Sequence, residues 1–187
     1  MLEFPSIITD GDLELVKLDP TFENTQKVFE LIDRNREYLG KWLDWIEFVQ
    51  KPEDYFNTIQ EMSKITSPDF FIRTDNKIVG VAGFFKVKEA DKRAEMGYWL
   101  GAEYTGHGIM TRVVRMLEKL AFADLGLNRI VIRMNTKNER SAAIPKRLNY
   151  HFEGEMREDM ILKDGSFRNT YIFSKLKSEW EKENKNA

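Results

Sequence analysis

The chain has 187 residues, of which 42% are hydrophobic, and a formal net charge of −2, which together predict one α/β domain with a full core. It has no cysteine and two histidines, so disulfides, thiolate zinc sites and a cysteine nucleophile are excluded, and no metal is expected. Interleaved acidic and basic residues predict no nucleic-acid-binding face. No apolar run approaches the ~18 residues of a membrane span and no signal-peptide pattern is seen, which predicts a cytoplasmic location without a membrane partner.

The first third of the chain is predicted to form a strand and two helices. Leu13 to Leu18 alternates apolar and charged residues, which is typical of a half-exposed strand. Asp19-Pro20 predicts a helix start, with the aspartate as cap, and apolar spacing continues the helix to about Tyr38. Pro52 opens another helix, which we expect to end before Pro68.

The segment between these helices, 38–48, is unusually aromatic. Trp42, Trp45 and Phe48 lie in it. One interpretation is that these rings cover an edge of the core. The other is that they form an aromatic wall beside a substrate cleft, and the sequence leaves both open.

Three strands follow as an antiparallel meander. β-Branched or aromatic residues occur in each of them, and a hairpin turn at Asp75-Asn76 joins the first two. Gly80 and Gly83 in the second strand predict close backbone approach or a bulge. The predicted strands are Phe70–Thr74, Ile78–Val87 and Arg93–Leu100.

The third strand leads through a turn containing Gly106 and Gly108 into a long amphipathic helix. A helix that begins on two glycines presents unpaired backbone N–H groups and the positive end of its dipole, which favours an anion such as phosphate. Ile109 follows Gly108 where a Walker loop requires lysine, and the third glycine of a dinucleotide fingerprint is missing. Both of those phosphate loops are therefore excluded.

The last part of the chain predicts a strand, a short helix and a hairpin. Arg129–Met134 is the strand, and Asn138 caps a helix from Glu139 to Leu148 that contains Pro145. A charged tail, Ser178–Ala187, is expected to fray. The hairpin strands are Phe152–Leu162 and Ser166–Leu176, joined by the turn Lys163-Asp164-Gly165.

This order of elements, with the motif Glu103-x-x-Gly106-x-Gly108, resembles the GCN5-related N-acetyltransferases (GNAT). Within them, Glu95-Met-Gly-Tyr-Trp-Leu and Asn138-x-x-Ser141-x-x-Ile-Pro are similar to the ribosomal-protein N-acetyltransferase (RimJ/RimL) branch. The resemblance implies a single GNAT fold over residues 1–177, followed by a charged tail at 178–187. Its sheet is mixed and mostly antiparallel, twisted, splayed at the central strand and flanked by helices.

The resemblance also implies acetyl-CoA as co-substrate. The pyrophosphate is expected on the backbone amides of the glycine turn, pantetheine along the edge of the central strand, and the acetyl carbonyl at the N–H of Leu100. The predicted cofactor-binding residues are Trp99, Leu100, Gly101, Gly106, His107, Gly108, Ile109, Met110, Thr111, Asn138 and Ser141.

Acetyl transfer to an amine requires removal of a proton from the amine and protonation of the leaving thiolate. Glu95 is predicted as the base, because strand alternation places it on the cleft face with Gly97 and Trp99. Glu158 is the rival, since the branch carries a glutamate on the following strand. Many members of the superfamily protonate the sulfur with a tyrosine where this chain has Pro145, so Ser141 is the remaining candidate hydroxyl.

The resemblance implies an N-acetyltransferase that moves acetyl from acetyl-CoA to a primary amine by direct attack in a ternary complex. The expected acceptor is a protein N-terminal α-amine, as on a ribosomal protein. Two alternatives stay open: an acetyltransferase for a small amine such as a polyamine, aminoglycoside or amino acid, and a non-catalytic domain that binds acyl-CoA. The branch often forms homodimers, so a second copy is a further expected partner.

Overall fold

The computed structural model describes residues 2–19, 21–63, 69–162 and 164–185, and these form eight strands and six α-helices. The strands are β1 (Ile7–Asp10), β2 (Leu13–Lys17), β3 (Asp69–Thr74), β4 (Lys77–Lys88), β5 (Arg93–Leu100), β6 (Arg129–Asn135), β7 (His151–Ile161) and β8 (Phe167–Leu176). The helices are α1 (Phe22–Arg34), α2 (Arg36–Leu39), α3 (Pro52–Ser63), α4 (Ile109–Lys119), α5 (Glu139–Arg147) and α6 (Lys177–Lys185). Two 3₁₀ helices span Asp44–Phe48 and Ala102–Tyr104, and a π-helical turn, Leu120–Asp124, extends α4.

All eight strands form one sheet in the order β1-β2-β3-β4-β5-β6-β8-β7. Every neighbouring pair is antiparallel except β5 and β6, which are parallel because α4 carries the chain back between them. The predicted α/β class and mostly antiparallel sheet are confirmed.

The sheet opens at its centre, as predicted. Parallel pairing of β5 with β6 runs only from Arg93 to Met96, opposite Arg129 to Ile132. Both strands continue beyond this point, to Leu100 and Asn135, but they no longer pair with each other. The second half of β5 therefore has one edge without a strand partner.

Helices cover both faces of the sheet. On one face α4 packs Val113, Val114 and Leu117 onto inward residues of the strands, including Phe84 and Met96. Burial of this apolar surface is the main source of stability in such a layered fold. The other face is covered by α1 and α3, whose buried residues Val28, Ile32, Tyr55 and Ile59 pack with Phe71 and Val81.

The start of the chain differs from the prediction. A strand not predicted from sequence, β1, pairs with β2 as the edge of the sheet. The cap of α1 is Thr21, whose side chain accepts a hydrogen bond from the N–H of Asn24, so the assignment of Asp19 as cap was wrong. Pro20, like Pro68 and Lys163, lies outside the described residues.

The expectation that the C-terminal tail frays was also wrong as far as Lys185. Residues Lys177–Lys185 form α6, and the ring of Trp180 packs on Phe122 with centroids 5.8 Å apart. Phe122 is fully buried in the core, and Glu183 of the same helix binds Lys175 at 2.5 Å, so both a ring contact and an ion pair dock α6.

Glycine is required where β4 meets its neighbours, as predicted. A Cβ on Gly80 would lie 2.2 Å from the carbonyl oxygen of Trp99, which no side chain tolerates. The register between β3 and β4 shifts at Ile72 and Arg73, opposite this glycine, so both the close approach and the irregularity are present.

Candidate active site

A cavity of about 1380 Å³ lies where β5 and β6 separate. It is lined by the second half of β5, the glycine turn, the first turns of α4 and α5, and the aromatic segment before α3. Single-ligand pockets typically reach about 300–1,000 Å³. The volume is therefore large enough for a cofactor-sized molecule together with a second substrate.

The glycine turn forms one end of the cavity. Gly106 and Gly108 have φ of 85° and 77°, in the left-handed region that favours glycine. A Cβ at either position would meet no atom within 4 Å, so the space above the turn is open. Gly108 is the N-cap of α4 and has no side chain to satisfy the first amides of the helix.

Most of the predicted cofactor residues line this cavity, and two of them do not. The exceptions are His107, which is exposed, and Gly101, which is buried. Gly101 instead faces Leu31 of α1 and Asn35, the C-cap of that helix. The predicted residues that line the cavity are Trp99, Leu100, Gly106, Gly108, Ile109, Met110, Thr111, Asn138 and Ser141.

Two arginines on the cavity wall flank the turn. The guanidinium of Arg147 donates to the hydroxyl of Thr111 at 2.9 Å, so this hydroxyl is already engaged by α5. Arg140 reaches the hydroxyl of Thr105 at 3.4 Å, beside Gly106. Arg112 is different, because Asp10 and Asp12 of the first hairpin bind its guanidinium at 2.8 and 2.9 Å.

The short helix α5 contributes Asn138 and Ser141. The side-chain oxygen of Asn138 accepts a hydrogen bond from the N–H of Ser141 at 3.1 Å, which confirms the predicted cap. Tyr98 of β5, which sequence reasoning missed, donates its hydroxyl hydrogen to the carbonyl oxygen of Ser141 at 3.4 Å. Burial raises the pKa of Tyr98 well above its ordinary value, so the phenol stays protonated.

Glu95 lies at the cavity, as predicted, but it is already paired. Lys86 donates to both carboxylate oxygens at 3.1 and 3.2 Å. Arg133 lies 3.9 Å away on β6. Lys86 and Arg133 thus bind the carboxylate oxygens of Glu95, whose lone pairs a general base would use to accept a proton.

The structure places Asp159, and not Glu158, in the cavity. Glu158 is exposed, with φ of 51°, at a shift in register between β7 and β8. Asp159 is 13% exposed and binds Arg133 at 3.0 Å. Between Met156 and Met160, β7 advances four residues while β8 advances two, so regular alternation is interrupted where Glu158 and Asp159 lie.

A third carboxylate, Asp69, also lines the cavity and was not predicted. It is the first residue of β3, and burial raises its pKa to about 6. Its charge in turn raises the pKa of the buried Tyr55 of α3 further above the ordinary value. Nothing in the local sequence distinguishes this aspartate, because the groups around it come from distant segments.

Both interpretations of the aromatic segment hold in part. Trp42 and Trp45 line the cavity, and Trp45 stacks on Tyr55 with centroids 6.1 Å apart. Ile46 of the same segment is buried in the core on this face. Phe48 is 73% exposed, so it neither covers the core nor lines the cavity.

Residues 13–151 match the acetyltransferase (GNAT) domain family. The chain belongs to the GNAT acetyltransferase family. The match covers most of the sheet, α4 and the whole of α5, which together build the cavity. The resemblance noted from sequence is confirmed, and the chain is an N-acetyltransferase.

Several curated acetyltransferases are similar over most of their length. YdaF of Bacillus subtilis (strain 168) is 31% identical over 166 residues, covering 86% of this chain and 90% of that protein. The ribosomal-protein-serine acetyltransferase of Escherichia coli (strain K12) is 29% identical over 156 residues, covering 81% and 87%. The spermidine N(1)-acetyltransferase of the same strain is 24% identical over 156 residues, covering 82% of each chain.

Solved structures share the fold of this GNAT chain. RimL, a ribosomal L7/L12 α-N-protein acetyltransferase solved with coenzyme A, superposes with a TM-score of 0.85 at 24% identity over 91% of this chain and 97% of RimL. The microcin C7 self-immunity acetyltransferase MccE, solved with acetyl-CoA and AMP, gives a TM-score of 0.82 at 29% identity, covering 92% and 97%. Within the described residues, no helix is both long enough and apolar enough to cross a membrane.

Proposed function

We propose that this GNAT enzyme transfers acetyl from acetyl-CoA to the α-amine of a protein N-terminus, by direct attack while both substrates are bound. The observation that carries the proposal is the opening between β5 and β6, which lies beside the uncovered amides at the start of α4. This arrangement joins an edge for an extended ligand to a site for its phosphates.

The residues present fit acetyl-CoA. The space above Gly106 and Gly108 accepts a pyrophosphate against backbone amides, where any side chain would block its approach. Arg140 at this end of the cavity adds positive charge. When bound, acetyl-CoA supplies the acetyl group as a thioester. MccE, which has the same fold, was solved with acetyl-CoA.

The N–H of Leu100 is the donor proposed for the acetyl oxygen. The N–H of Gly101 donates to the carbonyl oxygen of Val79 on β4, at 3.0 Å. Successive amides of a strand point to opposite sides, so the N–H of Leu100 points away from β4, into the opening. A fixed backbone N–H at that place stabilises the oxyanion that forms during acyl transfer.

Ser141 is proposed to hydrogen-bond the departing sulfur. It lies on the cavity in the first turn of α5, and Asn138 and Tyr98 hold its backbone on both sides. Its hydroxyl is too weak an acid to act alone, so its part is to orient the sulfur or a water. Glu95, paired with Lys86 and Arg133, is proposed to hold these cations at the opening rather than to remove a proton.

A protein N-terminus suits the charges on the acceptor side. An N-terminus brings an ammonium followed at once by a carbonyl, so its site needs a carboxylate and a hydrogen-bond donor together. Asp69 and Asp159 line the cavity with Arg133 and Arg168. The Escherichia coli relative that acts on ribosomal-protein serine supports the same acceptor class, and such an acceptor places the enzyme in the cytoplasm.

A polyamine is the second candidate acceptor. The aromatic rings and carboxylates on this side of the cavity also suit a flexible cation, and one relative is a spermidine acetyltransferase. Arg133 and Arg168 disfavour this acceptor, because a polyamine has no oxygen atom for their guanidinium groups to bind.

The test is release of CoA thiol from acetyl-CoA with three acceptors: the peptide Ser-Ala-Ala-Ala amide, spermidine and an aminoglycoside. Mass spectrometry locates the acetyl group on each product. We expect turnover on the peptide α-amine. Turnover on spermidine alone would contradict the protein N-terminus and support a polyamine as the acceptor. Binding of CoA without turnover on any amine would leave a domain that binds acyl-CoA without catalysis.

A further inference from the structure

We propose that Asp69 is the carboxylate that receives the acceptor amine, binding it as an ammonium ion and taking its proton before attack. The inference rests on the proposed acetyl transfer and adds the residue that selects and activates the acceptor. It replaces Glu95 as the base.

The strand register places Asp69 in line with Gly97, the first residue of β5 beyond its pairing with β6. Asp69 of β3 is opposite Gly83 of β4, and Gly83 is opposite Gly97 of β5. Paired residues of neighbouring strands point to the same face, so all three positions face the cavity side of the sheet. Asp69 therefore lies two strands from the opening, on the face that Glu95 and Trp99 share.

Glycine at position 83 lets the carboxylate lie where it does. A Cβ on Gly83 would be 2.3 Å from Oδ1 of Asp69. The carboxylate therefore rests over the Cα of Gly83, and this carries it one strand toward β5. About one strand spacing, roughly 4.8 Å, then separates it from the backbone of Gly97.

Asp69 also differs from the other two cavity carboxylates in its ion pairing within the described part of the chain. Glu95 binds Lys86 and Arg133, and Asp159 binds Arg133. Among the residues that the structure describes, Asp69 has no ion pair. A carboxylate in a largely apolar setting binds a cationic ligand strongly, because no resident cation competes for it.

The surroundings of Asp69 favour an ammonium ion. Tyr55, Phe85 and Trp99 line the same part of the cavity, and the Phe85 ring lies over Gly97. Aromatic faces attract a cation and exclude water. The backbone is held firmly as well, since the N–H of Leu18 donates to the carbonyl oxygen of Asp69 at 2.8 Å.

The proton balance is simple. The ammonium loses one proton to the Asp69 carboxylate, and the nitrogen lone pair then forms the C–N bond to the acetyl carbon. As the C–S bond breaks, the amide nitrogen loses its second surplus proton. One of the two protons ends on the sulfur of the CoA thiol and the other in solvent. The raised pKa of Asp69, about 6, suits a base that works near neutral pH.

The experiment compares Asp69→Asn with wild type, using Ser-Ala-Ala-Ala amide and spermidine as probe amines. The matched control is Asp75→Asn, an exposed aspartate at the other end of β3, whose φ of 48° suits asparagine equally well. For Asp69→Asn we expect kcat/KM for the amine to fall at least 100-fold, with KM for acetyl-CoA within twofold. The rising limb of the wild-type pH profile near pH 6 should disappear in this variant. The control should match wild type.

A second readout needs no turnover. Each probe amine is titrated calorimetrically at pH 6 into protein saturated with CoA, in two buffers of different ionisation enthalpy. Binding should release about half a proton in wild type, since about half of the Asp69 carboxyls are then protonated, and none in Asp69→Asn.

The inference is overturned if Asp69→Asn keeps both the amine kcat/KM and the proton release of wild type, or if Glu95→Gln instead removes the limb near pH 6. Failure of the proposed function looks different. In that case wild type turns over no amine, while the proton release and its loss in Asp69→Asn still decide whether Asp69 binds the ammonium.

Discussion

At the scale of single residues, the cavity holds a partly buried carboxylate that has no ion pair among the residues that the structure describes. The folded-state pKa of this residue, Asp69, is about 6 and exceeds its ordinary value of 3.8. A raised acid pKa means that the folded state prefers the neutral form. Such a group destabilises the protein at neutral pH, as is common for residues kept for function.

This gives a stability prediction that is separate from activity. The folded state binds the extra proton between about pH 4 and pH 6, so wild type should lose stability as pH rises through that range. Asp69→Asn lacks this titration. We expect it to be more stable than wild type at pH 7 by about 1–3 kcal/mol, with the difference vanishing near pH 4. Urea unfolding at several pH values measures both.

A purely structural aspartate would behave in the opposite way. If Asp69 accepted essential hydrogen bonds, Asp69→Asn would be less stable than wild type at pH 7. Lower stability of the variant at every pH would therefore contradict a role in binding the acceptor.

At the scale of elements, the turn into α4 is the feature on which cofactor binding depends. Its glycines satisfy two requirements, a left-handed backbone and a surface without a Cβ. A second glycine, Gly126, allows the effect of the left-handed backbone to be separated from the effect of the missing Cβ at the cavity. Gly126, in the loop before β6, also has positive φ, 64°, and open space around its Cβ position, but it does not line the cavity.

Gly106→Ala and Gly126→Ala should therefore destabilise the protein by similar amounts, about 1–2 kcal/mol each, because both force alanine into the left-handed region. Only Gly106→Ala should weaken CoA binding, by tenfold or more, since its methyl group occupies the phosphate surface. Thermal unfolding and calorimetric titration of CoA measure the two effects. Equal CoA affinity in both variants would remove the turn from the cofactor site.

At the scale of the whole molecule, a buried lysine ties the end of the chain to the central helix. Lys175 of β8 is 1% exposed and binds Glu118 of α4 at 3.3 Å and Glu183 of α6 at 2.5 Å. It also donates to the carbonyl oxygen of Leu148, after α5, at 2.8 Å. Burial raises the pKa of Glu118, and the nearby Lys175 opposes this shift.

Removing the lysine alone should be severe. Lys175→Met leaves the carboxylate of Glu118 buried without its cation, which typically costs about 3–5 kcal/mol. The double variant Lys175→Met with Glu118→Leu removes both charges and should recover most of that loss. Unfolding in guanidinium chloride measures both free energies. A double variant no more stable than Lys175→Met would show that the lysine acts by packing and not by charge.

Local patterns were enough for most elements. Alternation and turn residues predicted β3, β4 and β5 to within a residue or two, and apolar spacing predicted α4. Elements with weak local signals were missed or misjudged. β1 is short and mostly exposed, and α6 is held by Trp180, whose partner ring lies far away in sequence, and by the ion pair of Glu183 with Lys175.

The sequence by itself determined the order of the elements from β2 to β8, the glycine turn and the resemblance to the GNAT family, because these depend on patterns within short stretches of the chain. Only the tertiary structure decided which carboxylates meet in the cavity. It paired Glu95 with cations, turned Asp159 inward in place of Glu158, and brought Asp69 over Gly83. Pairing, burial and strand register are set by contacts between distant segments, and these three quantities determine what a carboxylate can do.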